Sequence, residues 1–596
     1  MKYSTSLSIV FVLSCLLSIS LSGQPKNNIL IKFIETSDIH GSIFPFDFIN
    51  NKPMNNSLAN AYTYIKQERA KKNQEVVLLD DGDMLQGQPT VYYYNFYKTD
   101  VPHICASVMN FMQYDAASVG NHDIEAGHAV YDKLRKEFVF PWLAANVTIP
   151  GTDEPYFKPY TVINRKGIRI AVLGLCTPGV PSWLPEILWK GMQFDDMIKT
   201  SQKWIPIIKE KEKPDLILGL FHSGTGFTYD NYNAESDKNP NASQLVAEKV
   251  DGFDVIFTGH DHKLTWMKTN NPSGKPVYLA GPSGHCANLV SVEVQLSYNK
   301  STKTFDKTVR MDTVWVKNYS ADPEFMEKFK SEQTEITHYV SEKVGTFTET
   351  VSTRPSMFGD SKFVDLIHTI QMQLTGARVS FAAPLTVNAS INKGDIYVRD
   401  MFNLYKYENF LYSIKMSGRE IHNYLEYSCR NWFEKMADST GQLIKFKRNA
   451  VGNYLRNNKG ELMTETNPYN YDNAAGIKYV VNISTPVEKY VTITSMSDGS
   501  PFYEDSTYTV AINSYRASGG GGLITNGAGI SAEELPNRII SSTTIDLRYY
   551  MKEWIMKKGI VMPKSDNNWM VGPASWYEAA KKRSAAELFK SEDIGE

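Results

Sequence analysis

The chain has 596 residues, 42% of them hydrophobic and 21% charged, with a formal net charge of −2. That length is too great for one hydrophobic core, so two domains are the starting expectation. No basic surplus is present, which argues against a polymeric nucleic-acid partner and leaves small molecules as the first class to consider.

The N-terminus starts Met1-Lys2-Tyr3, runs apolar over 7–21, and meets small residues at Ser20 and Ser22 before Gly23. A short positive start, an apolar run and a small-residue exit read as a secretory signal over 1–23, so the protein is expected to be exported, periplasmic or at the cell surface. Val12-Leu13-Ser14-Cys15 offers the alternative of a lipoprotein box, against which the apolar run continues past Cys15. No later stretch is long and apolar enough for a membrane-spanning helix. Cys105, Cys176, Cys286 and Cys429 remain after signal removal, too widely spaced for a metal knuckle.

Residues 29–37 predict a strand, with Asp38 and His40 at its end. Two residues apart in an extended backbone, these side chains point the same way. Residues 58–71 predict a helix and 76–80 a second strand, which ends in Asp81-Gly82-Asp83. Strand, helix, strand is a crossover, so a mainly parallel layer is expected. The segment 114–119 leads into Gly120-Asn121-His122-Asp123-Ile124-Glu125. Strands are also predicted at 140–145, 168–175, 216–221 and 255–258; the last two end at His222 and at Gly259-His260-Asp261-His262. Each candidate ligand falls at the C-terminal end of a strand, where open α/β sheets place their sites. Five of the 11 histidines (His40, His122, His222, His260 and His262) lie at these ends.

Residues 317–344 are polar with helical period and a start at Asp322-Pro323-Glu324. They read as a linker, one long exposed helix between a first domain over 28–316 and a second over 345–552, with 553–596 as a C-terminal tail. In the second half, Phe363, Leu366, Ile367, Ile370 and Leu374 recur at helical spacing. Residues 410–416 predict a strand before a helix opening at Ser417-Gly418-Arg419-Glu420. Residues 508–512 predict another, followed by Asn513-Ser514-Tyr515-Arg516 and a run of four glycines. That run lacks the Lys-Ser/Thr ending of a phosphate-cradling loop.

The ordered set of Asp38, His40, Asp83, Asn121, His222, His260 and His262 resembles the calcineurin-type metallophosphoesterase signature. The resemblance implies two divalent ions, one held by Asp38, His40, Asp83 and His262, the other by Asp83, Asn121, His222 and His260. Mixed oxygen and imidazole donors suit Zn, Mn, Fe or Co better than Ca or Mg. Such a pair binds phosphoryl oxygens and lowers the pKa of water. His122, outside both shells, would stabilise transition-state charge or protonate the leaving oxygen, with Glu125 holding its ring.

From about residue 29 to about 552 the chain resembles the 5′-nucleotidase family. The implied fold is α/β in two domains: an N-terminal four-layer metallophosphoesterase sandwich and a C-terminal α+β nucleotide-binding domain. The family's histidine is commonly followed three residues later by Asp; here the residue is Glu125. The 5′-nucleotidases typically carry Gly-Gly-Ile-Arg where this chain has Phe381-Ala382-Ala383-Pro384-Leu385. With Leu404-Tyr405-Lys406-Tyr407-Glu408-Asn409, this resembles the bifunctional 2′,3′-cyclic-nucleotide 2′-phosphodiesterase/3′-nucleotidase branch. There two aromatic rings sandwich the base, which implies Tyr407 and Tyr515, with Asn409 and Gly476 as further base contacts. The implied reaction opens a 2′,3′-cyclic nucleotide to the 3′-nucleotide, then releases phosphate and nucleoside. Its rivals are a 5′-nucleotidase or nucleotide-sugar hydrolase and a non-catalytic nucleotide-binding protein. A base held by one domain and a phosphate cut by the other require the domains to close or rotate.

Overall fold

The strand Asn28–Thr36 is buried along nearly its whole length because protein covers both of its faces. It anchors a six-stranded sheet in the order Thr304–Trp315, Asn288–Asn299, Asn28–Thr36, Glu75–Asp80, Ala116–Ser118, Trp142–Leu143. A second six-stranded sheet runs Thr265–Asn270, Pro276–Gly281, Val255–Thr258, Leu216–His222, Ile168–Cys176, Tyr160–Arg165. This is a computed structural model, and it describes residues 28–228, 232–457, 460–486 and 489–591. The predicted signal over 1–23, with Cys15, lies outside the described residues.

The two sheets face one another. Ile31, Phe33, Val77 and Leu79 of the first interleave with Val172, Leu218, Val255 and Phe257 of the second. The helices Met197–Glu212 and Ser243–Lys249 cover the outer face of the second sheet through Ile205, Ile208 and Val246. Leu58–Arg69 and Ile104–Met112 cover the first through Leu58, Ile65, Val108 and Met109. The result is the four-layer α/β sandwich expected from the sequence.

Both sheets are mainly parallel, as expected, with three parallel pairings of five in each. The central pairings are parallel, including Asn28–Thr36 with Glu75–Asp80 and Leu216–His222 with both neighbours. Antiparallel strands close three of the four edges, Trp142–Leu143 pairing parallel at the fourth, and the hairpin of Asn288–Asn299 and Thr304–Trp315 lies on the first strand. The outer hairpin strand is largely exposed, so its two-residue alternation replaces the continuous apolar run of a central strand.

The second domain centres on a five-stranded sheet ordered Asn473–Ala475, Val379–Ala382, Thr507–Asn513, Leu411–Ser417, Ile539–Ser542. Ser361 caps the helix Lys362–Thr375, and Ser417 with Glu420 forms a capping box on Gly418–Trp432.

Two expectations are corrected. The linker is not one exposed helix. It breaks at Phe329 into Pro323–Lys328 and Lys330–Val340, and Phe325, Phe329, Ile336, Tyr339 and Val340 are buried. Few apolar residues suffice because they fall on one stripe; Phe329 meets Phe111 with ring centroids 5.5 Å apart. Nor is 553–596 a tail. The helix Leu547–Lys558 crosses the expected boundary, and Trp569–Gly572 pairs with Ile477–Asn482. Helix Ala574–Phe589 buries Ala580, Ala585 and Leu588 in the second core. Its alanines and the isolated tryptophan give a weak apolar period, so the packing partner rather than the segment itself reveals it.

Among the described residues no helix is long and apolar enough to cross a membrane. The apolar core of the first domain continues into Phe402, Leu547 and Met551 of the second. There Tyr92 donates a hydrogen bond to Asp546 at 2.7 Å, and the Arg548 guanidinium lies over the rings of Tyr92 (4.7 Å) and Phe402 (4.1 Å).

Because the buried Trp569 ring stacks on Tyr479 at 5.4 Å and 3°, Trp569→Ala is expected to cost about 3–5 kcal/mol. Denaturant unfolding would measure it; a change below about 1 kcal/mol would mean the C-terminal segment is dispensable to the domain.

Candidate metal centre and domain cleft

Four loops at the strand ends meet at one point, and their approach is tight enough to dictate glycine at two places. A Cβ on Gly82 would lie 2.5 Å from the Gly120 nitrogen, and one on Gly120 would lie 2.2 Å from an Asp83 carboxylate oxygen. Asp38, His40, Asp83, His260 and His262 all adopt left-handed φ, between 46° and 75°. Such backbone costs of order 1–3 kcal/mol per residue and persists where the surroundings impose it, often at functional sites.

Donor atoms of Asp38, His40, Asp83 and His262 lie within 4.8 Å of one another, as do those of Asp83, His222 and His260. Asp83 belongs to both sets. The Asn121 side-chain oxygen joins the second, 2.8 Å from His260 Nδ1 and 3.2 Å from His222 Nε2. His40 Nε2 and His262 Nε2 face each other at 2.9 Å.

The outer contacts orient these donors. His40 Nδ1 donates to the Gln86 carbonyl at 3.1 Å, and His222 Nδ1 donates to the Asp81 carbonyl, so each ring presents Nε2 inward. Ser37 donates to Asp38 at 2.6 Å. Asp123 accepts from the backbone N–H groups of Asp83, Met84, Leu85 and Gly120. It ties the Asp83 loop to the Asn121 loop.

Burial alone would raise Asp38 and Asp83; the imidazoles of His262 and His222 hold both below the ordinary carboxylate range. Burial, with neighbouring imidazoles, holds His260 down at about 3 and keeps His40 low, the neutral form a metal ligand needs. Burial also lifts Asp80 to about 8 and Asp123 to about 7. Both oxygens of the fully buried Glu35 lack a hydrogen-bond partner among the described residues. Carboxylates held ionised, converging with imidazoles on the shared Asp83, form a donor set that suits divalent cations.

His122 sits on the rim. Its backbone N–H donates to Asp83 at 2.8 Å, and its Nδ1 is paired with Glu125. Burial would lower this imidazole, but Asp83 and then Glu125 outweigh it and bring His122 to about 9.

The second domain forms the other wall of the cleft. Tyr407 is raised by burial and by Tyr469, Tyr515 and Glu125, so the tyrosine lies near the His122–Glu125 pair. Tyr469 meets Tyr407 edge-on at 6.0 Å. Tyr515 belongs to the helix Ser514–Ala517, which touches Val180–Trp183, and the Trp183 indole stacks on the His260 ring at 5.2 Å and 22°. Beneath Tyr515, Arg516 forms a buried ion pair with Asp472 at 2.9 Å. Asn409 stands behind this wall, buried, with its amide 3.5 Å from the Tyr405 hydroxyl. Gly476 is closely packed: its φ is +88° and a Cβ there would lie 2.0 Å from the Arg378 carbonyl oxygen, next to the strand Val379–Ala382.

Sequence reasoning missed Asp123, Trp183, Tyr469 and Arg548. Asp123 stands inside the Asn-His-Asp run, so its signal was present; the others reach the cleft through contacts across the chain. Cys105, Cys176, Cys286 and Cys429 are buried and free.

Comparisons with known proteins agree with this geometry. Residues 31–264 match the calcineurin-like phosphoesterase family and residues 343–526 the 5′-nucleotidase C-terminal domain. The trifunctional nucleotide phosphoesterase protein YfkN of Bacillus subtilis is 24% identical over 91% of this chain, which spans 39% of that longer protein. The 2′,3′-cyclic-nucleotide 2′-phosphodiesterase/3′-nucleotidase of Haemophilus influenzae is 24% identical over 91% of this chain and 88% of its own length. A solved structure from Staphylococcus aureus, assigned as a 5′-nucleotidase, shares the fold with a TM-score of 0.73 at 19% identity, covering 91% of this chain and 99% of that one.

Since Asp83 lies in both donor sets, Asp83→Asn is expected to remove metal from both, whereas His262→Ala should leave the second set able to load. Metal analysis after equilibration with Mn or Zn and desalting would check this; equal retention by wild type and Asp83→Asn would exclude a shared carboxylate.

Proposed function

The chain joins a calcineurin-like phosphoesterase domain to a 5′-nucleotidase C-terminal domain, and from that premise we propose that it is a metal-dependent nucleotide phosphohydrolase that opens 2′,3′-cyclic nucleotides to 3′-nucleotides and then releases phosphate and nucleoside. The observation that carries this reading is the sharing of Asp83 between two donor sets, with His122–Glu125 beside it and the tyrosine wall of the second domain opposite.

In this reading Asp38, His40, Asp83 and His262 hold one divalent ion, and Asp83, Asn121, His222 and His260 hold a second, drawn from Zn, Mn, Fe or Co. Ions bound there supply Lewis acidity toward phosphoryl oxygens and a more acidic water. The chain's own residues do the rest. Tyr407 and Tyr515 receive the base between them, with stacking contributing about 1–3 kcal/mol per base whatever its identity. His122 carries a proton at neutral pH, and Glu125 fixes its Nδ1. The remaining ring nitrogen is the donor for the leaving ribose oxygen. The buried rings and carboxylates around the cleft exclude bulk water and fix the phosphate against that donor. One centre serves both steps, because each adds water across a P–O bond. Asn409 supports the tyrosine wall. The N-terminal segment directs export, to the periplasm or the cell surface.

Phosphate release and product identity from 2′,3′-cyclic AMP, 3′-AMP and 5′-AMP with Mn or Zn test the reading. The cyclic and 3′ substrates should dominate, and His122→Ala should lose about 10²–10⁴-fold in kcat. Dominance of 5′-AMP would assign the chain to the 5′-nucleotidase reaction instead. Glu125 raises His122, so Glu125→Gln should lower the His122 pKa and move the alkaline limb of the pH–rate profile to lower pH; an unmoved limb would remove Glu125 from this role.

A further inference from the structure

His40 and His222 are each oriented by Nδ1 donating to a backbone carbonyl, the usual outer contact of a metal-binding imidazole. His260 is held differently. Its Nδ1 faces the donor set, 2.8 Å from the Asn121 oxygen, and among the described residues no hydrogen bond engages its Nε2. Its backbone is fixed: the N–H donates to the Asp38 carboxylate at 3.1 Å, and φ is +75°. A fixed backbone still leaves the ring free to turn about its side-chain bonds.

Trp183 restrains that ring through its face. The indole lies 22° from parallel to the imidazole with centroids 5.2 Å apart, within the range of favourable offset stacking. Both rings are half-buried. The indole in turn packs on Gly179, where a Cβ would lie 2.4 Å from Cη2 and 2.6 Å from Cζ2. Gly179 has φ −73° and ψ −10°, which any residue adopts, so what glycine supplies here is room. The turn beneath is fixed by hydrogen bonds of 2.9 Å: Ser182 N–H to the Gly179 carbonyl, Leu184 N–H to the Val180 carbonyl, and Trp189 Nε1 to the Leu184 carbonyl. The helix Val180–Trp183 meets Ser514–Ala517, the second-domain helix that carries Tyr515. Among the described residues the indole meets no imidazole of the first donor set.

We propose that Trp183 is a positioning residue for the second donor set: stacked on His260, it holds the imidazole in the orientation in which Nδ1 joins Asp83, Asn121 and His222, and so tightens the hold of those residues on their ion. This rests on the two-ion reading above. Trp183 acts through His260 alone, so its effect falls on one ion and leaves the set of Asp38, His40, Asp83 and His262 as it was.

The test is a Mn-binding isotherm of the full-length protein after chelation, for wild type, Trp183→Ala, Trp183→Phe, Trp183→Leu, Gly179→Ala and the double variant Gly179→Ala/Trp183→Ala, with melting temperatures alongside to report any loss of fold. Loss of one stacked ring predicts that Trp183→Ala binds one Mn about three- to tenfold more weakly and the other unchanged. Trp183→Phe should recover most of the loss; Trp183→Leu, which covers the imidazole without an aromatic face, should not. Gly179→Ala keeps the indole but displaces it, so it should weaken the same Mn, and it should add nothing once Trp183 is gone. Turnover of 2′,3′-cyclic AMP by Trp183→Ala should fall at limiting Mn and return in excess. Equal Mn binding by wild type and Trp183→Ala, recovery by Leu as full as by Phe, or additive losses in the double variant would overturn the role. If the wild type binds a single Mn, the two-ion reading fails by itself, and the same variants still decide: an unchanged affinity for that Mn overturns the role of Trp183.

Discussion

The structure depends on a concentration of buried carboxylates that, among the described residues, have no lysine or arginine partner. Glu35, Asp38, Asp80, Asp81, Asp83 and Asp123 all lie buried at the ends of two strands and one loop. Burying a charge without compensation is among the largest penalties a fold can carry. Two outlets exist in the geometry. Asp80 and Asp123, with pKa values lifted to about 8 and about 7, can take up protons. Asp38 and Asp83 cannot do so as readily, because neighbouring imidazoles hold them ionised. Their charge is left for cations, and the donors converging on them are the ones divalent transition metals accept. Left-handed backbone at five donor residues is the strain this convergence imposes.

A second constraint links that centre to the other domain. Arg548 pairs with Glu408 at 2.9 Å, stacks on Tyr92 and Phe402, and donates to the carbonyls before Tyr407. Tyr92 comes from the first domain, so the group that fixes the tyrosine wall also touches the catalytic side. Opening the cleft by moving the domains apart would strip Tyr92 from Arg548 and Asp546 while leaving the Arg548–Glu408 pair within the second domain. The wall would move as a preassembled unit, which is what a domain that must release product and then receive a new base requires.

How much of this was legible in the sequence differs by residue. The seven proposed ligands were readable because each follows an apolar run, and strand ends in α/β sheets gather in space. Tyr407 and Tyr515 came from resemblance, since one tyrosine among 34 carries no signal of its own. Asp123 was hidden by function: its carboxylate ties two loops through four backbone N–H groups, a task any acidic turn residue could have. Arg548 acts through partners more than a hundred residues away and Trp183 through His260 and the second domain, and no local period reports either. The linker misled because five buried positions on one stripe fall inside a segment that is otherwise polar. At Gly476 the close passage of the Arg378 carbonyl demands glycine, which the sequence alone does not report.

Glu125 faces both the rim of the candidate metal centre and the second domain. Its carboxylate pairs with His122 Nδ1 and also lies near Tyr407 and Glu408 of the second domain. Burial raises Glu408 to about 8 against the pull of Arg548, and the Glu125 charge adds to the rise. Glu408 in turn is one of the carboxylates that favour a proton on His122, after Asp83 and Glu125. The proton affinity of His122 therefore depends on whether the second domain is docked. With the cleft closed, Asp83 and Glu125 favour the imidazolium, and Glu408 adds to them only where it is ionised; with it open, Glu408 would leave and water would screen the remainder.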